Sequence, residues 1–547
     1  MKTTKYDYIV VGAGSAGCVL ANRLTEQNNN SVCVLEAGPE DKTPFIKIPG
    51  AFAYFMFSKK YNWAFSAEPV SDIRNGDPLF CPRGKTLGGS SAINAMVYIR
   101  GHKSDYDAWE SLGNDGWGYQ KMLPYFKKSE TNERGGCDFH GDKGPLFVSD
   151  CRNHYALNNV FIDAAKQAGF PITEDFNGSQ FEGAGYFQFT IQEGERCGVS
   201  QAYLKPARPR RNLNVECEAV VTRVLFDGKQ AIGVEYRQRG QLHKIYAEQE
   251  VILSGGAFNS PQLLMLSGIG DKQELKDVGI NAIHNLPGVG KNLQEHVDAC
   301  VLQESRQKDG FTTSMGGLLK MVPDTMSYFS NKTGKLASSI TQAGAFLKSS
   351  DDVDVPDIQM HFVPLLFDDS GRDLRLMSRH GYSCHVCVLR PKSRGAVKLR
   401  SSDPLDSPKI DFNFFDHEDD RKTLVNGIRQ ARKILAAKSF DSYRGEEIHP
   451  GTDVVSEEAI LEKCKERLGL VFHPVGTCKM GHDEQSVVDD HLRVHGIEGL
   501  RVVDASIMPT LISGNTNAPV IAIAEKAADL ILADSSQKLS FSTALSL

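Results

Sequence analysis

Three glycines and one acid near the start of the chain have the spacing to hold a nucleotide. Residues 8–11 form a short apolar run, and Gly12, Gly14 and Gly17 follow it in G-x-G-x-x-G order. Gly12 permits the tight turn from strand to helix, Gly14 lets the backbone approach a pyrophosphate, and Gly17 lets the helix lie close on the strand. Residues 18–24 continue as a helix whose first N–H groups and dipole favour phosphate. Residues 31–36 read as a second buried strand ending in Glu36, where an acid meets a ribose hydroxyl. Strand, helix and acidic strand end accompany the glycines, so the segment reads as a dinucleotide site.

A second candidate is Cys384-His385-Val386-Cys387, whose C-x-x-C spacing suits zinc or redox chemistry. Residues 381–389 nevertheless read as a strand, and a three-residue offset puts the two cysteines on opposite faces. No second C-x-x-C completes a tetrahedral site, so no metal is expected. The 12 cysteines are scattered, which suits reduced thiols better than a disulfide framework.

The elements that must position these groups fall into two patterns. Parallel-type signals occupy the N-terminus, residues 250–254, residues 500–504 and a helix over 518–533, with a strand meander over 213–246. Between about 300 and 460 the strands 357–363, 382–389 and 396–399 sit among loops and a helix over 421–437, as in an antiparallel sheet. The expected fold class is α/β, a Rossmann-like nucleotide-binding domain with an inserted antiparallel-sheet lobe of α+β character. The discontinuous nucleotide domain is assigned to 1–155, 196–299 and 465–538, and the substrate domain to 156–195 and 300–464. A chain of 547 residues accommodates both. A net charge of −6 gives no reason to expect a nucleic-acid partner. No apolar stretch reaches the ~18 residues of a spanning helix. The first strand is entered by Tyr8, which leaves no room for a signal peptide and points to the cytoplasm.

Beyond these motifs the chain resembles the glucose–methanol–choline flavoprotein oxidoreductases along nearly its whole length. Residues 82–101, with Gly88, Gly89 and Asn94, look like one family signature, and residues 256–270 like another. Residues 288–296, ending in His296, are also similar, as are 473–481, beginning at His473, and 503–509, containing Asp504. Such a set, in order, is far more specific than any single member. It implies FAD, a choice that the first glycine loop cannot make.

The resemblance also implies roles. Gly12, Gly14, Gly17 and Glu36 are expected to hold the ADP half. Gly88, Gly89 and Asn94 approach flavin and pyrophosphate, Val221 meets adenine through its backbone, and Asp504 lies near the ribityl chain. Some family members attach FAD through a histidine at the position of Ile93. Isoleucine has no nucleophile, so non-covalent FAD is expected. Oxidation of an alcohol needs removal of the hydroxyl proton, hydride transfer to flavin N5 and support for the developing alkoxide. His473, followed by Pro474, is the expected base. Asn517, beside Ala518 at the isoalloxazine, is the expected second polar group, where family members carry histidine or asparagine.

Substrate and partners follow less directly. Residues 513–519 and 391–395 are most similar to membrane-associated aliphatic alcohol dehydrogenases of bacteria. That implies a primary alcohol substrate, an electron acceptor such as a quinone, and peripheral association with the inner face of the cytoplasmic membrane. Choline dehydrogenation is the alternative within the class, and an FAD-containing lyase of the same fold is the alternative outside it. Glu304, eight residues past His296, could face trimethylammonium but reads as a strand-end surface acid. Trp63, Trp109 and Trp117 lie far upstream of it, leaving no evident cation cage. The apolar residues in 311–329 suit a lid over an uncharged chain.

Overall fold

The computed structural model describes residues 4–545 except Asp309, Asp369 and Ser370. Its first sheet is built on five parallel strands. Lys5–Val11 lies between Val32–Leu35 and Gln241–Leu253, with Leu213–Glu216 outside the former and Leu500–Val502 beside the latter. Residues 8–10 and 32–35 are buried on both faces, as parallel strands covered by helices must be. Ala219–Asp227 and Gln230–Gln238 extend this sheet as an antiparallel meander.

Gly12 sits at φ +99°, and a Cβ there would meet the Ser254 carbonyl oxygen at 2.5 Å. The chain can turn here from strand into the helix Ser15–Leu24 only without a side chain. A Cβ on Gly17 would lie 1.9 Å from the Gly12 carbonyl oxygen, so Gly17 is what lets that helix close on the strand. The helix Asn517–Leu545 packs along Ser15–Leu24, pinned by a bidentate Arg23–Glu525 pair at 2.8 and 2.7 Å.

The second sheet is antiparallel throughout, in the order Arg444–His449, Val297–Ser305, Gly381–Val388, Ile358–Val363, Ala343–Leu347, Gly183–Tyr186. Gly469–Leu470 pairs with its Val297–Ser305 strand, so the sheet reaches past both limits of the 300–464 span marked by the sequence pattern. Alternation gives it two unlike faces. Met360, Phe362, Val386 and Val301 belong to an apolar core with Leu424, Ile428, Ala431 and Leu435 of the helix Glu418–Leu435. Gln359, His361, His385, Cys387 and Asp298 share the opposite face by register. Cys384 and Cys387 therefore point to opposite sides, Cys384 into the core and Cys387 towards Gln359. No helix among the described residues is long and apolar enough to cross a membrane.

Candidate active site

A cavity runs along the seam between the two lobes. One part of its wall is Gly12, Gly14, Ser15, Glu36 and Val221, and another is Asn94, His473 and Asn515. Gly89 crosses Gly14 so closely that a Cβ on it would lie 2.7 Å from the Gly14 Cα. No side chain caps the helix that starts at Ser15, so its free N–H groups are available to an anion. Glu36 accepts the Ala13 N–H at 2.9 Å and the Gly38 N–H at 2.8 Å, and burial raises its pKa to about 7. Each carboxylate oxygen keeps a lone pair for a ribose hydroxyl. Asp504 accepts from Gly256 N, Ser260 Oγ and Ser506 N, which fixes a buried carboxyl in the wall. Gly17, Gly88 and Ala518 stand behind the lining residues rather than among them. The glycine cradle, open helix start and acidic strand end together fit FAD.

At the other part of the wall, hydrogen bonds determine which nitrogen of His473 is free. His296 Nε2 lies 3.2 Å from the Leu389 carbonyl oxygen, which can only accept, so that nitrogen carries the proton. Burial pushes the His296 pKa down to about 3, so the ring is neutral and its Nδ1 is bare. His473 Nδ1, 3.0 Å away, must then donate to it. Burial, with His296 and His361 nearby, also holds His473 well below its ordinary pKa. Its Nε2 is left as a lone pair.

That lone pair faces Asn515, whose Nδ2 lies 3.2 Å from His473 Nε2. Gln359 Nε2 donates to Asn515 Oδ1 at 3.2 Å, turning the amide so that its NH₂ end meets the histidine. Glu295 accepts the backbone N–H of both His296, at 2.9 Å, and His473, at 2.7 Å. Arg83, also on the cavity wall, donates to the Phe472 carbonyl oxygen at 2.7 Å and partly opposes the upward push of burial on the Glu295 pKa.

The amide beside His473 is therefore Asn515 and not the expected Asn517, although both line the cavity. Asn517 opens the helix Asn517–Leu545, and its Oδ1 accepts from Ser15 Oγ at 2.7 Å, beside the nucleotide helix. The two asparagines lie two residues apart, and the helix start turns the second towards the cofactor half of the cavity. Glu304 sits at the far end of Val297–Ser305, paired with Arg379. Eight residues of extended chain place it about 26 Å from His296. Trp63 also departs from expectation, because it lines the cavity despite its distance in sequence. Lys85 covers its ring at 4.5 Å, so the protein's own cation occupies that face. No residue of 311–329 lines the cavity.

A nucleotide cradle in one lobe and a buried neutral histidine where it meets the other fit a dinucleotide-dependent oxidoreductase. Comparison with known proteins makes the class specific. The two GMC oxidoreductase family models match residues 6–298 and 391–524, and the chain belongs to that family. It is 45% identical over 530 residues to an alcohol dehydrogenase (acceptor) of Pseudomonas putida, covering 96% of each protein. It is 44% identical over 536 residues to the mitochondrial choline dehydrogenase of Homo sapiens, covering 96% of this chain and 90% of that one. A formate oxidase structure from Aspergillus oryzae RIB40, studied for its FAD modification, superposes with a TM-score of 0.89. It is 28% identical over 98% of this chain and 99% of that one.

Proposed function

We propose that this FAD-dependent alcohol oxidoreductase converts primary alcohols to aldehydes, with FAD held non-covalently in the seam cavity. His473 takes the hydroxyl proton on Nε2, and Asn515 donates to the alcohol oxygen through Nδ2. The observation that carries this reading is the bare Nε2 of His473 meeting a donor amide on the cavity wall. Bound FAD supplies the two-electron acceptor for the hydride. The protein's part is positional. Glu295 and His296 fix the histidine and its tautomer, Gln359 fixes the amide, and burial keeps both rings neutral, so that His473 Nε2 carries no proton before the alcohol arrives. Ile93 in the cavity wall offers no nucleophile for a covalent flavin link.

Uncharged alcohols are favoured over choline because neither candidate acid is offered to a trimethylammonium. Asp298 accepts from His385 at 2.8 Å, and Glu304 pairs with Arg379 at the far end of its strand. Peripheral membrane association, with a quinone as acceptor, is supported by a surface rather than by the cavity. Met315, Leu319, Met326 and Phe329 are 65–76% exposed on the helices Met315–Lys320 and Val322–Asn331, with Lys320 and Lys332 at their ends.

Anaerobic mixing with a primary alkanol tests the central reading. The flavin absorbance bleaches and one aldehyde forms per flavin. An enzyme that converts substrate while its flavin stays oxidised would instead be a lyase.

A further inference from the structure

Arg196, on the strand Glu195–Arg196, is a buried cation without an anion. The other deeply buried arginines are paired, Arg100 with Glu130 at 2.6 Å and Arg501 with Glu250 at 2.6 Å. Arg196 is 4% exposed, and among the described residues no carboxylate pairs with it. Burial is the one influence on its pKa, pulling it down to about 9 and leaving it charged at neutral pH. Its Nε donates to the Ile46 carbonyl oxygen at 2.9 Å. Its Nη1 donates to the Ser91 carbonyl oxygen at 3.2 Å and to Asn94 Oδ1 at 2.7 Å. Nη2 is buried with no partner. An isolated buried charge is costly unless something compensates it.

Asn94 connects this charge to the cavity. Its Oδ1 accepts from Arg196 Nη1 and from Met96 N at 3.1 Å, which uses both acceptor sites. The amide therefore presents its NH₂ to the cavity that it lines. A guanidinium on the carbonyl end polarises that NH₂ and makes it a stronger donor. In the proposed reaction the hydroxyl proton of the alcohol would go to His473 and its hydride, two electrons and a proton, to bound FAD, which would gain one negative charge.

We propose that Arg196 is a positioning residue that fixes and polarises Asn94, and that its uncompensated charge favours the reduced, more negative form of the bound FAD. Unit charges several ångströms apart in a protein interior interact strongly enough to change such an equilibrium by a factor of ten or more. The protein thus spends a buried charge on the cofactor's electronics rather than on its own fold.

The test is the midpoint potential of FAD in the holoenzyme, measured by dye equilibration for wild type, Arg196→Met and Arg196→Lys, with FAD content read from the absorbance spectrum. Arg196→Met should shift the reduction equilibrium at least tenfold towards the oxidised form, about 30 mV for a two-electron couple. Arg196→Lys, which keeps the charge, should shift it less than threefold. An Arg196→Met enzyme that retains FAD at an unchanged potential overturns the proposal. If that variant holds no FAD, Asn94→Ala decides: a shift in the same direction supports the relay, and an unchanged potential overturns it. The proposal rests on the cavity holding FAD, and wild-type protein without flavin absorbance would refute that reading before Arg196 is tested.

Discussion

Glu295 Oε1 accepts the backbone N–H of His473 at 2.7 Å across 178 residues of chain. The same oxygen holds the N–H of His296. One buried carboxyl thus sets the spacing of both rings, and His473 is aligned by its main chain as well as its side chain.

Replacing His473 by alanine should slow anaerobic flavin reduction by about 10²–10⁴-fold while FAD stays bound. Stopped-flow absorbance of the reductive half-reaction checks this. Reduction at the wild-type rate would place the base elsewhere.

The two asparagines should separate by readout. Asn515→Ala removes the donor to the alcohol oxygen and should lower the reduction rate about 10²-fold with FAD content unchanged. Asn517→Ala removes the bond to Ser15 and should weaken FAD retention more than reduction of the FAD that remains. Equal effects of both variants on the reduction rate would contradict the assignment.

The pH dependence of stability has a definite sign. Burial raises the Glu295 pKa from 4.5 to about 8, so the folded state holds a proton that the unfolded chain releases at lower pH. The stability this group contributes is complete below about 4.5 and is lost as pH climbs to about 8. Glu36, raised to about 7, acts in the same direction. Glu295→Gln should therefore flatten the fall in Tm between pH 5 and 8. A Tm profile parallel to wild type would show that Glu295 is ionised throughout.

Acid precipitation should release all the yellow colour as FAD, because Ile93 cannot form a link. Flavin fluorescence that stays with the chain on a denaturing gel would contradict this.

Primary alkanols should exceed choline at least tenfold in kcat/KM, a difference of about 1.4 kcal/mol in transition-state binding. Glu304→Gln should leave that ratio within twofold, since Glu304 is tied to Arg379 at the strand end. A choline-preferring enzyme that loses its preference in Glu304→Gln would reverse the substrate reading.

The nucleotide half was legible because its determinants are local. Gly12, Gly14, Gly17 and Glu36 lie within one strand–helix–strand unit, and their spacing alone carries the geometry. His473 was reachable only through resemblance, since nothing local distinguishes it among 15 histidines. The choice between Asn515 and Asn517 depends on where the last helix begins, and helix starts are uncertain by about two residues from sequence. Glu295, Gln359, Arg83 and Arg196 act through partners 100 or more residues away or through sheet register. No local pattern reports those relationships.

Ribosomal synthesis meets a long delay in this topology. The turn at Gly12 leaves the ribosome early, whereas Asp504 and the start of the last helix, which complete the same cavity wall, are made almost 500 residues later. At 5–20 residues per second this interval is roughly 25–100 s. Until it ends, the strand Gln241–Leu253 lacks its neighbour Leu500–Val502, and the helix Ser15–Leu24 lacks the helix that covers it. The complete cavity wall thus exists only late in synthesis, and the edge of Gln241–Leu253 stays uncovered while nearly half of the chain is made.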